Sequence, residues 1–137
     1  MADAGYSGTP LPKKLGIQPG AVCAFLGAPA EFAAALGDLP VGVEVRSQAK
    51  GPLDVAVLFT TSRADLAKRF GRAAKALAPA GGLWVAWPKK ASGVATDLTE
   101  DVVREVGLAA GLVDNKVCAI DATWSGLRFV IRVKDRR

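Results

Sequence analysis

The chain alternates between short apolar runs and stretches whose apolar residues recur with the period of a helix. Short runs rich in Val, Leu and Ala are typical of strands buried inside a sheet, and regular apolar–polar alternation is typical of a strand with one exposed face. On these patterns we predict six strands, at Ala21–Gly27, Val41–Arg46, Asp54–Thr60, Leu83–Trp87, Lys116–Asp121 and Leu127–Val133.

Three helices are predicted between these strands. The first is a short Ala-rich helix over Glu31–Leu36. The second begins after Ser62, whose hydroxyl can accept a hydrogen bond from the backbone N–H of Asp65 in a capping box. The third begins at a second capping signal, Asp97-Leu-Thr-Glu100, and ends before Gly111.

The order of the elements predicts the fold class. Strands that alternate with helices form a mostly parallel sheet with helices on both faces. The last two strands are joined by Ala122–Gly126, a connection short enough for an antiparallel hairpin. We therefore expect an α/β three-layer sandwich in a single domain over 15–133, after a loosely ordered segment over 1–14 and before a basic tail over 134–137.

One connection does not fit this scheme easily. Between Arg46 and Leu53 lies only the sequence SQAKGP, whereas a helical crossover needs a dozen or more residues. Six extended residues reach about 20 Å, enough to run back along a strand once. Either the segment is an extended strap, or the second strand is an edge strand of opposite direction; the sequence does not distinguish the two.

The predicted sheet resembles that of S-adenosylmethionine-dependent methyltransferases in a shortened form. The resemblance implies a Rossmann-like fold with the strand order 2-1-3-4-6-5. The family's cofactor motif is not matched: an acidic residue and a Gly-rich turn are expected around the first strand and an acid at the end of the second. This chain has Phe25-Leu-Gly-Ala-Pro29 and Arg46 there. A diverged methyltransferase is one hypothesis for the function.

Three stretches also resemble a family of short bacterial proteins classed as a domain of unknown function. They are Tyr6-SGTPLPKKLG-Ile17, Asp54-VAVLFTTSRAD-Leu66, and Leu83 to Val130 with its segments LWVAWPKKASGVATDLTE and KVCAIDATWSGLRFV. The resemblance implies a bacterial, cytoplasmic protein and carries no activity.

Composition narrows the function classes. Half of the 137 residues are hydrophobic and 23% are charged, a globular balance, and no apolar run approaches the ~20 residues of a membrane span. Histidine is absent, which excludes Ser-His-Asp and Cys-His nucleophiles and His-ligated zinc. Cys23 and Cys118 are expected to be unpaired thiols of a cytoplasmic protein, and two distant cysteines are too few for a metal site. No specific cofactor motif is present, so no cofactor is expected.

The candidate ligand site lies at the carboxyl edge of the sheet. There the loops after the third and fourth strands bring cations, hydroxyls and helix N-termini together, an arrangement suited to an anion. The candidate binding residues are Arg63, Lys89, Lys90, Ser92 and Thr96. The alternative is that these residues only cap helices and solubilise a loop. Our leading hypothesis is non-catalytic binding of an anionic small molecule of the nucleotide or phosphate class.

The first alternative to anion binding is a protein-interaction or regulatory module that uses the hairpin. Trp124 is expected at its turn, exposed beside Arg128, where it could bind a protein partner or a second copy of the chain. Trp84 and Trp87 lie an odd number of residues apart on a strand and face opposite sides. Because that arrangement gives no shared stacking platform, nucleic acid is not expected as a partner. A membrane is not expected either, since no apolar run is long enough to span one.

Overall fold

A computed structural model describes residues 8–136 of the chain, in which six strands form one mixed sheet flanked by α-helices. The strands are β1 (Val22–Leu26), β2 (Glu44–Arg46), β3 (Leu53–Phe59), β4 (Leu77–Pro88), β5 (Leu112–Ala119) and β6 (Trp124–Ile131). The helices are α1 (Leu11–Leu15), α2 (Phe32–Leu36), α3 (Arg63–Lys75) and α4 (Glu100–Ala109), with short 3-10 turns at Lys90–Ser92 and Val133–Asp135.

The sheet has the order β2-β1-β3-β4-β6-β5, which confirms the predicted topology and fold class. β1 is parallel to both β2 and β3, and β3 is parallel to β4. β6 is antiparallel to β4 on one side and to β5 on the other. The predicted closing hairpin is therefore present, and the sheet is parallel in its first four strands.

The connection between the second and third strands is the strap. β2 is parallel to β1, with Val22 opposite Glu44, so the edge strand of opposite direction is ruled out. Residues 47–52, called the strap below, return the chain from the end of β2 to the start of β3 without a helix.

The core lies in two layers, one on each face of the sheet. On one face α1 and α2 pack against alternate strand residues, and on the other α3 and α4 pack against the rest. The largest fully buried side chains in these layers are Trp84, Phe70, Phe129, Leu15, Leu53, Leu58, Leu66 and Leu83. Ser62 Oγ accepts from Asp65 N at 2.9 Å, which confirms the predicted capping box at the start of α3.

Several element ends differ from the prediction. The segment over 1–14 is expected to be loosely ordered, but in its described part helix α1 begins at Leu11, and both Leu11 and Leu15 are buried. Residues 1–7, with Tyr6, lie outside the described residues. α4 is capped by Thr99, which accepts from Val102 N at 3.2 Å, and not by Asp97.

The hairpin turn is shorter than predicted. Asp121 Oδ1 accepts from the backbone N–H groups of Thr123 and Trp124, both at 2.8 Å, and this side-chain turn tightens the connection. β6 therefore starts at Trp124, which pairs with Pro88 of β4, three residues earlier than Leu127. The expected turn residue becomes a strand residue.

Gly107 of α4 gives a test of this packing. A Cβ at Gly107 would clash with the Phe129 ring in the core, whereas a Cβ at Gly71 of α3 would meet nothing within 4 Å. We expect Gly107→Ala to lower the free energy of unfolding by about 1–3 kcal/mol because the ring must move. Gly71→Ala, the matched control, is expected to raise it by ~0.5–1 kcal/mol through helix propensity. Urea denaturation measures both, and an unchanged Gly107→Ala would contradict the packing of α4 on β6.

Candidate functional site

The topological switch point of the sheet lies between β1 and β3. From β1 the chain passes through α2 to β2 on one side, and from β3 it passes through α3 to β4 on the other, with the two helices on opposite faces. Ligand crevices in open α/β sheets form at such a point, beyond the carboxyl ends of the strands. Gly27 and Thr60 follow these two strands here.

A hydrogen-bonded group of side chains lies at the switch point. Arg69 of α3 donates to the carbonyl of Phe59 at 3.0 Å and forms a 2.8 Å ion pair with Asp65. The buried hydroxyl of Thr60 donates to the same carboxylate at 2.7 Å. Gly27 has a φ of +69°, and a Cβ there would lie 3.0 Å from Arg69 Nη2, so the guanidinium lies against the turn that follows β1.

These contacts lower the pKa of Asp65 below its usual value. The hydrogen bond from Thr60 is the largest cause and the hydrogen bond from Arg69 the next, because both stabilise the carboxylate form. Asp65 therefore stays ionised and holds Arg69 in place at the switch point.

The strap is fixed at both ends. Arg46 Nε donates to Glu44 at 2.7 Å, and its Nη1 donates to the carbonyl of Lys50 at 2.6 Å. At the far end, Leu53 N donates to the carbonyl of Ala76, just beyond α3, at 2.8 Å. The strap thus runs beside α3 along the α3 face of the sheet.

Between the strap and α3 lies a basic groove made of two adjoining cavities. The upper cavity, of about 720 Å³, reaches the end of β1 at Leu26 and Gly27 and contacts Leu58 of β3. Its remaining lining residues are Ser47, Gln48, Ala49, Lys50, Lys68, Arg69 and Arg72. The lower cavity, of about 690 Å³, shares Ala49 and Arg72 with it. The other lining residues of the lower cavity are Gly51, Pro52, Gly71, Lys75, Ala76 and Leu77.

The electrostatics of the groove are one-sided. The upper cavity has four cations and no carboxylate among its lining residues. Arg69 is paired with Asp65, but within the described part of the chain no carboxylate forms an ion pair with Lys50, Lys68 or Arg72. Arg and Lys side chains that form no ion pair and line a concave surface suit an anion.

The five residues predicted as an anion site lie outside this groove, and four of them are already bound to protein atoms. Lys89 Nζ donates to the carbonyl of Asp121 at 2.7 Å, and Arg63 forms an ion pair with Glu105. Ser92 Oγ donates to the carbonyl of Lys89 at 2.6 Å, and Thr96 Oγ1 to that of Thr61 at 2.6 Å, which fixes their loops. Lys90 is exposed.

The two predicted loops do lie together, but a carboxylate of the chain already lies where the anion is expected. Asp97 Oδ1 accepts from the backbone N–H of Arg63 at 2.7 Å, so a carboxylate of the chain itself sits at the N-terminus of α3. Glu100 and Asp101, the other acids near the start of α4, both pair with Arg104. An anion site on Arg63, Lys89, Lys90, Ser92 and Thr96 stays a prediction.

Trp124 is buried, which corrects the expectation of an exposed hairpin residue. It is 8% exposed and packs edge to face on Phe59, with ring centroids 5.2 Å apart. Its partner in that hypothesis, Arg128, is half-buried in β6 and donates to Asn115 Oδ1 at 3.3 Å. The two side chains form no joint exposed patch, because the tight turn at Asp121 draws Trp124 into the sheet.

The cysteines and acids give no second site in the described residues. Cys23 and Cys118 are unpaired, and burial raises the pKa of the Cys23 thiol to about 11, which makes it a poor nucleophile. Across residues 8–136, no group of three His, Cys, Asp or Glu residues could hold a metal ion. Within that same range, no helix is long and apolar enough to cross a membrane.

The groove residues are the ones that the sequence analysis missed. Lys50, Lys68, Arg69 and Arg72 are not among the candidate binding residues that it names. The signal is the spacing of Lys68, Arg72 and Lys75, which puts three cations on one helix flank, whereas Asp65 is the one acid of α3. The sequence could not show that Lys50 lies beside these helix residues, because that depends on the path of the strap.

Comparison with known proteins bears on the fold. No family model matches the chain, and no curated protein matches it, so the resemblance to the bacterial family stays a prediction. Solved structures of methyltransferases do match. Magnesium protoporphyrin IX methyltransferase from Synechocystis PCC 6803, with S-adenosylmethionine bound, is 12% identical with a TM-score of 0.54, covering 88% of this chain and 74% of that one.

Two further structures give the same result. The fibrillarin pre-rRNA processing protein of Methanococcus jannaschii is 14% identical with a TM-score of 0.55, covering 84% of this chain and 68% of that one. Mitomycin 7-O-methyltransferase is 13% identical with a TM-score of 0.60, covering 81% of this chain and 49% of that one. At these identities the likeness shows the fold: the chain has the Rossmann-like fold of methyltransferases.

The ionisation of Asp65 gives a pH-dependent prediction. Its folded pKa lies below the unfolded value of ~4, so its stabilising contribution is complete above about pH 4 and is lost as pH falls through the folded pKa. We expect Asp65→Asn to lower the free energy of unfolding at pH 7, by a margin that shrinks below pH 4. Urea denaturation at a series of pH values measures this. The exposed Asp38→Asn serves as control, and equal margins at pH 7 and pH 3 would contradict the assignment.

The burial of Trp124 gives a second prediction. Trp124→Ala removes a core ring and is expected to lower the free energy of unfolding by about 3–5 kcal/mol. Val133→Ala, at an exposed position, is expected to change it by less than about 0.5 kcal/mol. Denaturation and light scattering are measured together. A Trp124→Ala protein of unchanged stability but altered oligomeric state would restore the hairpin as an interaction surface.

Proposed function

We propose that the protein binds an anionic small molecule, of the nucleotide or phosphate class, in the basic groove at the switch point of the sheet. The observation that carries this proposal is the lining of the upper cavity. It holds four cations with no carboxylate among them, where this fold class forms its ligand crevice. The cavity's volume of about 720 Å³ falls within the usual range for small-molecule sites.

The chemistry of the lining supports binding of a phosphate-bearing ligand. Arg72 offers a planar fork that matches two phosphate oxygens, and Lys50 and Lys68 add point charges from opposite walls. Leu26 and Leu58 supply apolar surface beside these cations. Because the lining provides no histidine, cysteine or carboxylate as a general base, we propose binding without catalysis.

The groove supports the proposal better than the loops do. At the loops, Asp97 already accepts from the N-terminus of α3, and Lys89 donates to a backbone carbonyl. In the groove, the side chains of Lys50, Lys68 and Arg72 form no ion pair within the described residues. Binding an anion there therefore requires no existing ion pair to break.

S-adenosylmethionine is the second candidate ligand. It is favoured by the likeness of the fold to a methyltransferase with that cofactor bound. Its sulfonium and ammonium groups would enter a cavity whose own charges are positive, with Arg69 beside Gly27 and Arg46 at the end of β2. Electrostatics therefore favour a ligand of net negative charge over this cofactor.

A thermal-shift series tests the proposal. Purified protein is heated with ATP, ADP, AMP, inorganic pyrophosphate, S-adenosylmethionine or buffer alone. A ligand present at about 100 times its Kd adds ~2.7 kcal/mol, which raises the Tm by several degrees. We expect a shift with at least one phosphate compound, and none in the double variant Lys68→Ala/Arg72→Ala.

Two further double variants locate the site. Arg132→Ala/Lys134→Ala removes the same number of cations from the C-terminal end and is expected to keep the shift. If Lys89→Ala/Lys90→Ala loses the shift while Lys68→Ala/Arg72→Ala keeps it, the site lies at the loops after β3 and β4 and not in the groove. A shift with S-adenosylmethionine alone would overturn the proposal in favour of the cofactor, and no shift with any compound would end it.

A further inference from the structure

A row of cations extends along the whole groove and not only along its upper cavity. Lys68, Arg72 and Lys75 lie about one turn apart on α3, and the last two of them line the lower cavity. Because an α-helix rises by about 1.5 Å per residue, this row covers ~10 Å. Arg72 and Ala49 line both cavities, so the two cavities adjoin along the row. The positive surface is therefore longer than a single phosphate group.

The described part of the groove does not neutralise this row. Neither cavity has a carboxylate among its described lining residues, and the strap residues that line the lower cavity carry no charge. Lys75, like Lys68 and Arg72, forms no ion pair within the described residues. Gly71 lies between Lys68 and Lys75, and a Cβ there would meet nothing within 4 Å. An elongated anion can therefore lie along α3 across both cavities.

We infer that the groove binds a linear chain of phosphate groups that contacts both cavities at once, so that affinity rises with the length of the chain. The inference rests on the proposed function and names the class of anion. A polyphosphate carries negative charge along its whole length, which matches cations repeated at each helical turn. Lys50 of the strap adds a further cation at the upper cavity.

The lining favours the phosphate chain itself over a nucleic acid. Proteins that bind single strands combine a positive groove with aromatic side chains on which the bases stack. None of the described lining residues of either cavity is aromatic. The groove thus offers charge along its length and no stacking surface, so the phosphates are the groups that it recognises.

The helix dipole gives a competing explanation for two of these cations. Arg72 and Lys75 lie in the last turn of α3, where positive charge stabilises the negative end of the dipole. That role requires no ligand. If Lys75 acts on the dipole alone, Lys75→Ala lowers the Tm and leaves anion binding unchanged. If it contacts a phosphate chain, the same variant binds long chains less tightly.

Lys75→Ala therefore tests the inference, since Lys75 lines the lower cavity and not the upper one. Its matched control is Lys134→Ala, which removes an exposed lysine outside the lining of both cavities. Binding of pyrophosphate, of a longer linear polyphosphate and of single-stranded oligothymidylate to wild type and both variants is measured by calorimetry. Thermal unfolding of each protein is measured in parallel.

We expect wild type to bind the longer polyphosphate about fivefold more tightly than pyrophosphate, a difference of ~1 kcal/mol, which is the upper range for one exposed ion pair. Lys75→Ala should lose that difference by weakening the polyphosphate alone, and Lys134→Ala should keep it.

Three results would overturn the inference while leaving the anion proposal standing. They are equal binding of the two phosphate compounds by wild type, a Lys75→Ala protein that keeps the difference, and a Lys75→Ala protein that binds both compounds equally less tightly. Tighter binding of oligothymidylate than of polyphosphate by wild type would overturn it in favour of a nucleic acid. No binding of any of the three compounds by wild type would end both proposals.

Discussion

Six residues decide how this sheet is covered. β2 and β3 are parallel and lie on either side of β1, so the chain must return the length of a strand between them, and residues 47–52 are just long enough for that return. A helix on this side would need at least twice the chain. The α3 face of β1 is therefore bordered by an irregular strap, held by Arg46 at one end and by Ala76 at the other. The gap between strap and helix is the groove.

The distribution of carboxylates determines which cations near the carboxyl edge remain without an ion pair. At the N-terminus of α3 the chain supplies its own anion, Asp97, and at the switch point Asp65 neutralises Arg69. Those carboxylates already bind the groups through which a helix N-terminus commonly holds a ligand. Farther along α3, Lys68 and Arg72 line the groove beside the strap and form no ion pair within the described residues.

The fold was predictable from the sequence where one local signal sufficed. Ser62 and Asp65 form the capping box that their spacing predicts, and the resemblance to methyltransferases implied the strand order that is observed. The position of Trp124 was predicted wrongly because it depends on the side-chain turn at Asp121, which shortens the connection between the last two strands. The hydropathy pattern does not show where that turn lies. The groove was out of reach for another reason: Lys50 and α3 meet through a strap whose direction the sequence left open.

The row of like charges on α3 has a consequence for how stable this protein can be. Lys68 and Arg72 stand one helical turn apart, a spacing at which equal charges repel and weaken a helix. A glutamate at either place would relieve that repulsion. Under the proposed function, thermal stability favours an acid at these positions and anion binding favours a cation. The two requirements then oppose each other on this helix.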